Sequence, residues 1–262
     1  MIAFDYTHED FYGDRDTLWI HGWTGDHGVT GKFSYLTASV VNRDLRLPIM
    51  SVPSPMGNDM PSEISAMLAS LGQIFGHIDL LLFDRGFYSK ELIMKLNDLG
   101  INYLIFVPKN PRVKEELSFM HHTERKIKLH EFSVYREGKK VQDSVHLAFL
   151  KQIFDHRSEK YYDWCFATNM QDVDLDHVIA KYKFRWRIET MFRVQDECRI
   201  KTKSKDIRVR YFLFAYEQLV ESIWYLFYHE EVSFKKYLME LGETCTVMVN
   251  NVERKERTRK QP

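Results

Sequence analysis

Two apolar runs of strand length, joined by a helical segment, constrain the fold of this chain more than any other feature. Residues 80–83 form a continuous apolar run, which is typical of a strand that is buried on both faces of a sheet. A helix is predicted from an N-cap at Ser89 to a stop at Gly100, and a second apolar run follows at residues 101–107. This order predicts two buried strands with a helix packed between them along the chain.

Further strands are predicted ahead of this unit. Strand-like runs lie at residues 1–6, 33–41 and 45–52, and apolar residues at helical intervals predict a helix at 60–75. Strands first, followed by alternating helix and strand, predict an α/β fold in which helices pack on a mixed sheet. With 262 residues and 44% hydrophobic content, the chain can bury a sizeable core, which excludes a wholly disordered protein.

The composition changes after the second buried run. Charged residues are dense at 109–160, where two strand-like runs flank Gly138 as in a hairpin, and we predict a β-rich insertion there. Beyond it we predict a strand at 163–168 and helices at 173–197 and 207–231. The predicted organisation is therefore a core of residues 1–108 and 161–231, the insertion at 109–160, and a C-terminal extension at 232–262 whose basic tail lacks regular structure.

Charge and cysteine usage exclude several classes of protein. Lys plus Arg and Asp plus Glu both number 37, so any signal for nucleic-acid binding must be local. Three cysteines without C-x-x-C spacing argue against a disulfide framework or a zinc site. Glu217 and Glu221 interrupt the longest aromatic-rich run, which argues against a membrane span. We therefore predict a soluble cytoplasmic protein with no membrane partner.

Two aspartates follow apolar strands. Asp84 ends the best predicted strand, at the position where open α/β sheets bind ligands, and Asp5 follows the apolar start of the chain. Carboxylates that leave neighbouring strands can hold a hard divalent cation such as Mg²⁺. The alternative for Asp84 is a role in a turn or as a helix cap.

A third carboxylate, Glu189, lies in a predicted helix. At about 100° per residue, Tyr182, Arg185, Glu189 and Asp196 fall on one face, beside an apolar face. The alternative is a solvated helix surface on which Arg185 and Glu189 form an ordinary i,i+4 pair.

Together these residues resemble the DDE transposases of bacterial and archaeal insertion sequences, in the group marked by a Y-R-E-K signature. The resemblance lies in Asp5 in a first strand, in Asp-Arg-Gly-Phe-Tyr from Asp84, and in Tyr182-x2-Arg185-x3-Glu189 before a basic run. It covers about the whole chain and implies an RNase H-like catalytic domain with a β-rich insertion between the second Asp and the Glu. It also implies that Asp5, Asp84 and Glu189 are the catalytic, metal-binding triad, that two Mg²⁺ ions or Mn²⁺ serve as cofactor, and that Tyr182 and Arg185 contact DNA phosphate.

The chain departs from this signature in two respects. Asp196 stands where the signature has its final Lys, which replaces a phosphate-binding cation with an anion. The sequence also begins close to the first catalytic strand, so we expect it to lack the N-terminal DNA-binding segment of such transposases and to represent a truncated copy.

The residues around the signature are locally basic. Residues 181–210 contain eleven Lys and Arg but only four Asp and Glu, and this excess of positive charge suits contacts with DNA phosphates. The alternative is a solvated helix face and loop. The DNA-binding residues that we predict are Tyr182, Arg185, Arg187, Arg193, Lys201 and Lys203.

The function predicted from the sequence is that of a DNA transposase catalytic domain. It would cleave element ends and join them to target DNA, with double-stranded DNA as partner, as a homodimer on the DNA and associated with the nucleoid. Two alternatives remain open: an impaired remnant that only binds DNA, and an RNase H-like nuclease that cleaves without strand transfer.

Overall fold

A computed structural model of the chain describes residues 1–23, 28–156 and 158–259, with side chains as far as residue 249. The chain divides into two compact units, Met1–Glu189 and Thr190–Pro262. The domain boundaries predicted from the sequence stay a prediction. In the described part of the chain, no helix is long and apolar enough to cross a membrane.

The first unit is built on one mixed sheet. Parallel pairing joins β1 to β5 and β5 to β6, and the other strand pairs are antiparallel. The strand order is β2-β3-β1-β5-β6-β9-β8-β7, with β4 paired to β3. The predicted fold class, a mixed α/β sheet with helices and a β-rich insertion, is confirmed. The strands are β1 Ile2–Phe11, β2 Ile20–Gly22, β3 Gly31–Val41, β4 Arg46–Ser54, β5 Leu81–Phe83, β6 Tyr103–Phe106, β7 Arg125–Arg136, β8 Lys139–Asp155 and β9 Lys160–Thr168.

The apolar run that ends at Phe83 forms the central strand β5. Its three residues are fully buried, because each face of the sheet carries its own apolar cluster. Leu81 and Phe83 pack in one cluster and Leu82 in the other, as the two-residue period of a strand requires. Burial on both faces explains why this strand reads as a continuous apolar run rather than an alternating one.

Helices cover the sheet. Helix α1 (Met60–Phe75) has the predicted bounds, and α2 (Lys90–Leu99) begins where the Ser89 side chain accepts a hydrogen bond from the Leu92 amide at 3.1 Å. Gly100 ends α2 in the left-handed conformation, with φ of 64°. Both helices pack on the face of the sheet that contains Phe83. Helix α3 (Pro111–Ser118) was not predicted from the sequence.

The insertion extends the sheet instead of forming a separate layer. Strands β7 and β8 form the predicted hairpin, and its turn has positive φ at Glu137 and Gly138, as a tight hairpin turn requires. Strand β9 pairs with both β8 and β6. The strands of the insertion therefore continue the sheet that carries Asp84.

The single helix predicted at residues 173–197 is wrong. The structure has two helices, α4 (Val178–Lys183) and α5 (Trp186–Gln195), followed by a 3₁₀ turn at Asp196–Cys198. Between α4 and α5 the amides of Phe184 and Arg185 donate to carbonyls three residues earlier, which tightens the chain locally. This tightening separates the two helices immediately before Glu189.

The second unit contains two long helices. Helix α6 (Ile207–Phe227) ends earlier than the predicted residue 231, and α7 (Phe234–Arg259) follows it. The prediction of a tail without regular structure is wrong as far as Arg259, because Glu, Lys and Arg are good helix formers and continue α7. The end of that predicted tail, residues 260–262, lies outside the described residues.

Candidate active site

The pairing of β1 with β5 brings two aspartates together. Phe4 is in register with Phe83 in this parallel pair, so the next residues, Asp5 and Asp84, leave the pair side by side. Asp84 ends its strand, whereas Asp5 lies inside β1, which continues to Phe11. Asp84 also stands at the N-cap position of a 3₁₀ turn at Arg85–Phe87, but its side chain makes no capping hydrogen bond. Its carboxylate is therefore directed to other partners.

Those partners meet at one guanidinium. Arg185 Nη1 donates to Asp5 Oδ2 at 2.9 Å, and Nη2 donates to Glu189 Oε1 at 2.6 Å. Nη2 also lies 3.8 Å from Asp84 Oδ1, and the Arg185 side chain is only 4% exposed. The three predicted carboxylates thus converge. The i,i+4 pair of Arg185 and Glu189, which the alternative interpretation placed on a solvated helix surface, is one part of this cluster.

Tyr182 links the arginine to the second aspartate. Its hydroxyl accepts a hydrogen bond from Arg185 Nε at 3.2 Å and donates one to Asp84 Oδ1 at 3.3 Å. Its ring is buried against Phe106 and Phe166, and burial raises the pKa of the phenol above its usual range. The neutral hydroxyl therefore positions Arg185 and Asp84, and it is poorly suited to act as a nucleophile.

The surroundings of Asp5 raise the pKa of its carboxyl group. Burial raises its pKa to about 6, against the opposing effect of Arg185, while Glu189 and Asp84 raise it further. The backbone amide of Tyr6 donates to Asp5 Oδ1 at 2.9 Å and favours the charged form. Ionised Asp5 is therefore costly in this cluster unless additional positive charge is present.

The donor set fits a hard divalent cation by its chemistry. Three carboxylates supply the oxygen ligands that Mg²⁺ and Mn²⁺ prefer, and their side chains are 19%, 36% and 50% exposed for Asp5, Asp84 and Glu189. Among the described residues, no group of three acidic, histidine or cysteine side chains is spaced to hold a metal ion. The Arg185 guanidinium occupies the centre of these carboxylates.

A cleft of about 560 Å³ opens beside this cluster. It contains groups that the sequence reasoning did not single out, among them the aromatic rings of Trp164 and Trp186 and the cations Arg85 and Lys109. Arg85 follows β5 and Lys109 follows β6, so both lie at the same sheet edge as Asp84. Their positions just after two parallel strands were the sequence signal that could have identified them as site residues. The cleft combines apolar walls with positive charge next to the carboxylates.

The other predicted DNA-binding residues lie outside this cluster. The half-buried Arg187 donates to the backbone carbonyls of Asn42 and Arg43, which fixes the loop after β3. The remaining three, Arg193, Lys201 and Lys203, belong to the second unit and have exposed side chains. Their contact with DNA stays a prediction.

Asp196 does not continue the face of α5. Helix α5 ends at Gln195, and Asp196 lies in the 3₁₀ turn, where its carboxylate pairs with Arg199. The expectation that Asp196 shares a regular helix face with Glu189 is wrong, because the helix geometry changes between the two residues.

Comparison with known proteins identifies the family. Residues 16–216 match the model of the family described as "Transposase DDE domain". The chain belongs to this family. The match includes Asp84, Tyr182, Arg185 and Glu189 of this DDE domain, whereas Asp5 precedes the matched residues and lies beside Asp84 in the structure.

The DDE domain is also similar to a solved transposase structure. A piggyBac transposase in a synaptic complex with hairpin DNA superposes with a TM-score of 0.59 at 12% sequence identity. The similarity covers 92% of this chain and 51% of that one, so this chain spans about half the length of the piggyBac protein. A search of curated proteins found no match. At this identity the structural similarity establishes the fold.

Proposed function

We propose that this DDE domain cleaves the ends of a DNA element and joins them to target DNA in a metal-dependent reaction. The observation that carries the proposal is the convergence of Asp5, Asp84 and Glu189 on the Arg185 guanidinium. Three carboxylates from distant parts of the chain, gathered at a sheet edge beside a cleft, are suited to metal-dependent phosphoryl transfer on DNA.

The proposed roles follow from charge. A DNA phosphodiester is anionic, and its attack needs both a nucleophile and neutralisation of the developing charge. When bound, two Mg²⁺ ions, or Mn²⁺, would activate water or a DNA 3′-hydroxyl and stabilise the leaving oxygen. Asp5, Asp84 and Glu189 would hold the cations through their carboxylate oxygens.

Arg185 holds the carboxylates together, because its single positive charge lies among Asp5, Asp84 and Glu189. With metal ions bound to the carboxylates, the guanidinium would be available to pair with a DNA phosphate, for which its planar fork is well suited. The hydroxyl of Tyr182 limits the directions in which Arg185 can turn.

The proposed partner is double-stranded DNA, both element ends and target, bound by a homodimer in the cytoplasm at the nucleoid. Arg85 and Lys109 would contact phosphates at the cleft, and Arg193, Lys201 and Lys203 would extend the contact from the second unit. The Trp186 ring, which is only partly buried, would give the unpaired nucleotides of a cut end a surface on which to stack.

The test uses DNA that carries the inverted repeats flanking the coding sequence. Cleavage in Mg²⁺ or Mn²⁺ is expected from the parent, and Asp84→Asn should lower it by more than about 100-fold while DNA binding persists, because the carboxylate serves in metal ligation. The matched control is Asp98→Asn, which changes an exposed aspartate paired with Arg136. Equal cleavage by the parent and Asp84→Asn would remove Asp84 from the mechanism.

A second assay separates the proposal from its alternatives. DNA that already has free 3′-hydroxyl ends should become joined to a plasmid target. Cleavage without joining would indicate an RNase H-like nuclease. Binding without either reaction would indicate a remnant that only binds DNA, the alternative that Asp196 in place of the signature Lys favours.

A further inference from the structure

Helix α6 of the second unit has large apolar side chains on its outward face as well as on its buried face. The buried face combines apolar residues such as Phe214 and Trp224 with the charged residues Arg210 and Glu217, which are 5% and 1% exposed. Its outward face carries large apolar side chains, of which Phe212 is 68% exposed and Leu219 is 55% exposed. A solvated helix normally has charged and polar side chains on its outward face.

The buried charges have partners that fix the helix in this orientation. Arg210 donates from Nε to the Ser204 carbonyl and from Nη2 to the Thr202 carbonyl, both at 2.8 Å. Glu217 Oε1 accepts from the Ile200 amide at 2.6 Å. Rotation of α6 that buried its apolar face would break these bonds, which join the helix to the basic segment at 199–206. The outward apolar face is therefore a stable feature of the second unit.

The exposed side chains follow a regular pattern. They recur at alternating intervals of three and four residues, which is the spacing of the a and d positions in a coiled coil. Over this length a helix rises about 26 Å. The members of this stripe, here called the α6 stripe, are Val209, Phe212, Tyr216, Leu219, Ile223 and Leu226.

We propose that the α6 stripe packs against the same stripe of a second copy of this chain. The a/d spacing is self-complementary, so a twofold axis through the stripe lets each copy cover the other. The exposed parts of these side chains and of Phe227 sum to roughly 700 Å² per copy, close to the ~800 Å² per partner of a standard protein interface. That area also exceeds the ~300–600 Å² of the largest apolar patch on a typical monomer.

A lipid surface fits the α6 stripe less well. Helices that lie on membranes have a polar, basic face open to solvent and headgroups. In α6 Arg210 is turned inward and held by backbone carbonyls, and the exposed Arg208 pairs with Asp206, so α6 presents no broad basic face to anionic lipid. The inference names a surface for the homodimer of the proposed function, but it rests on α6 alone and is tested without DNA or cleavage.

The test is the mass of the full chain in solution, measured by light scattering after size exclusion. The parent is expected at twice the chain mass of 31.3 kDa. Phe212→Glu and Leu219→Glu should each weaken the dimer by at least about 100-fold, because a charge would be buried at the seam. The matched control is Phe119→Glu, which changes a Phe that is 78% exposed in the first unit and should leave the dimer intact.

Circular dichroism and the melting temperature establish that each variant is folded, and Ile223→Lys provides a third position if one glutamate variant is not. A parent that stays monomeric at about 100 μM would overturn the inference, since an interface of this size is expected to be stronger. A dimer that persists in the folded stripe variants would also overturn it, because another surface would then hold the copies together.

Discussion

Replacing Asp5 with asparagine is expected to stabilise the protein at neutral pH in metal-free buffer and to change its stability little near pH 4. Burial raises the pKa of Asp5 from 3.8 to about 6 in the folded protein. Each pKa unit corresponds to about 1.4 kcal/mol, so keeping Asp5 ionised costs the folded state about 3 kcal/mol. The side chain is 19% exposed, so solvent screening reduces this value only in part.

The sign of the pH dependence follows from the raised pKa. The folded protein holds the Asp5 proton more tightly than the unfolded chain, so the cost is absent below the unfolded pKa of 3.8 and complete above about 6. Asparagine does not titrate and carries no such cost. The advantage of Asp5→Asn over the parent should therefore grow between these two values and remain constant above them.

Thermal unfolding with a chelator present, at a series of pH values, measures this difference. For a unit of this size, 3 kcal/mol corresponds to a rise of roughly 6 to 12 °C in the melting temperature of the variant over the parent at neutral pH. Asp98→Asn is the control, because its exposed ion pair with Arg136 contributes about 0–1 kcal/mol. The reasoning would be refuted if the melting-temperature difference between Asp5→Asn and the parent were the same below pH 3.8 and above about pH 6. It would also be refuted if the variant were less stable than the parent at neutral pH.

Three further predictions concern charges at or near the site. Arg185→Gln removes the cation that competes for the carboxylates and should tighten Mn²⁺ binding by about 10-fold without DNA, measured by calorimetry, yet slow cleavage by about 100-fold; unchanged Mn²⁺ affinity would contradict the competition. Lys109→Ala should weaken DNA binding and reduce the salt slope of log affinity by about one, since one phosphate contact is lost; an unchanged slope would place Lys109 away from the DNA. Asp196→Lys replaces an anion that pairs with Arg199 by a cation in the basic segment, and it should raise affinity for cleaved end DNA and steepen the salt slope; if both stay unchanged, position 196 does not contact the DNA.

Local signals made part of the fold predictable. The apolar run before Asp84, the Ser89 cap and the Gly100 stop are short-range features, and β5 and α2 formed where these features predicted them. Helix α1 likewise has its predicted bounds. In contrast, α7 was not predicted, because its charged sequence has helix propensity but no strong apolar period.

The sequence could predict which residues belong to the candidate site, but not how they come together. The three carboxylates could be chosen from motifs, but their convergence depends on the parallel register of β1 with β5, which sequence order alone does not specify. The break between α4 and α5 was missed because it coincides with burial of Arg185 against Asp5, a contact between residues far apart in the chain. The sequence pattern of residues 173–197 is locally helical throughout, so only the tertiary contact reveals the interruption.

The most direct test of the central claim is a titration of Mn²⁺ against the metal-free protein, with free Mn²⁺ measured by its electron paramagnetic resonance signal. The account predicts that the parent binds Mn²⁺ and that Asp84→Asn and Glu189→Gln each weaken binding by at least about 10-fold, because each removes one carboxylate ligand. The control Asp98→Asn should bind as the parent does. If both site variants bind Mn²⁺ as tightly as the parent, the carboxylates around Arg185 are not a metal site, and the account is contradicted.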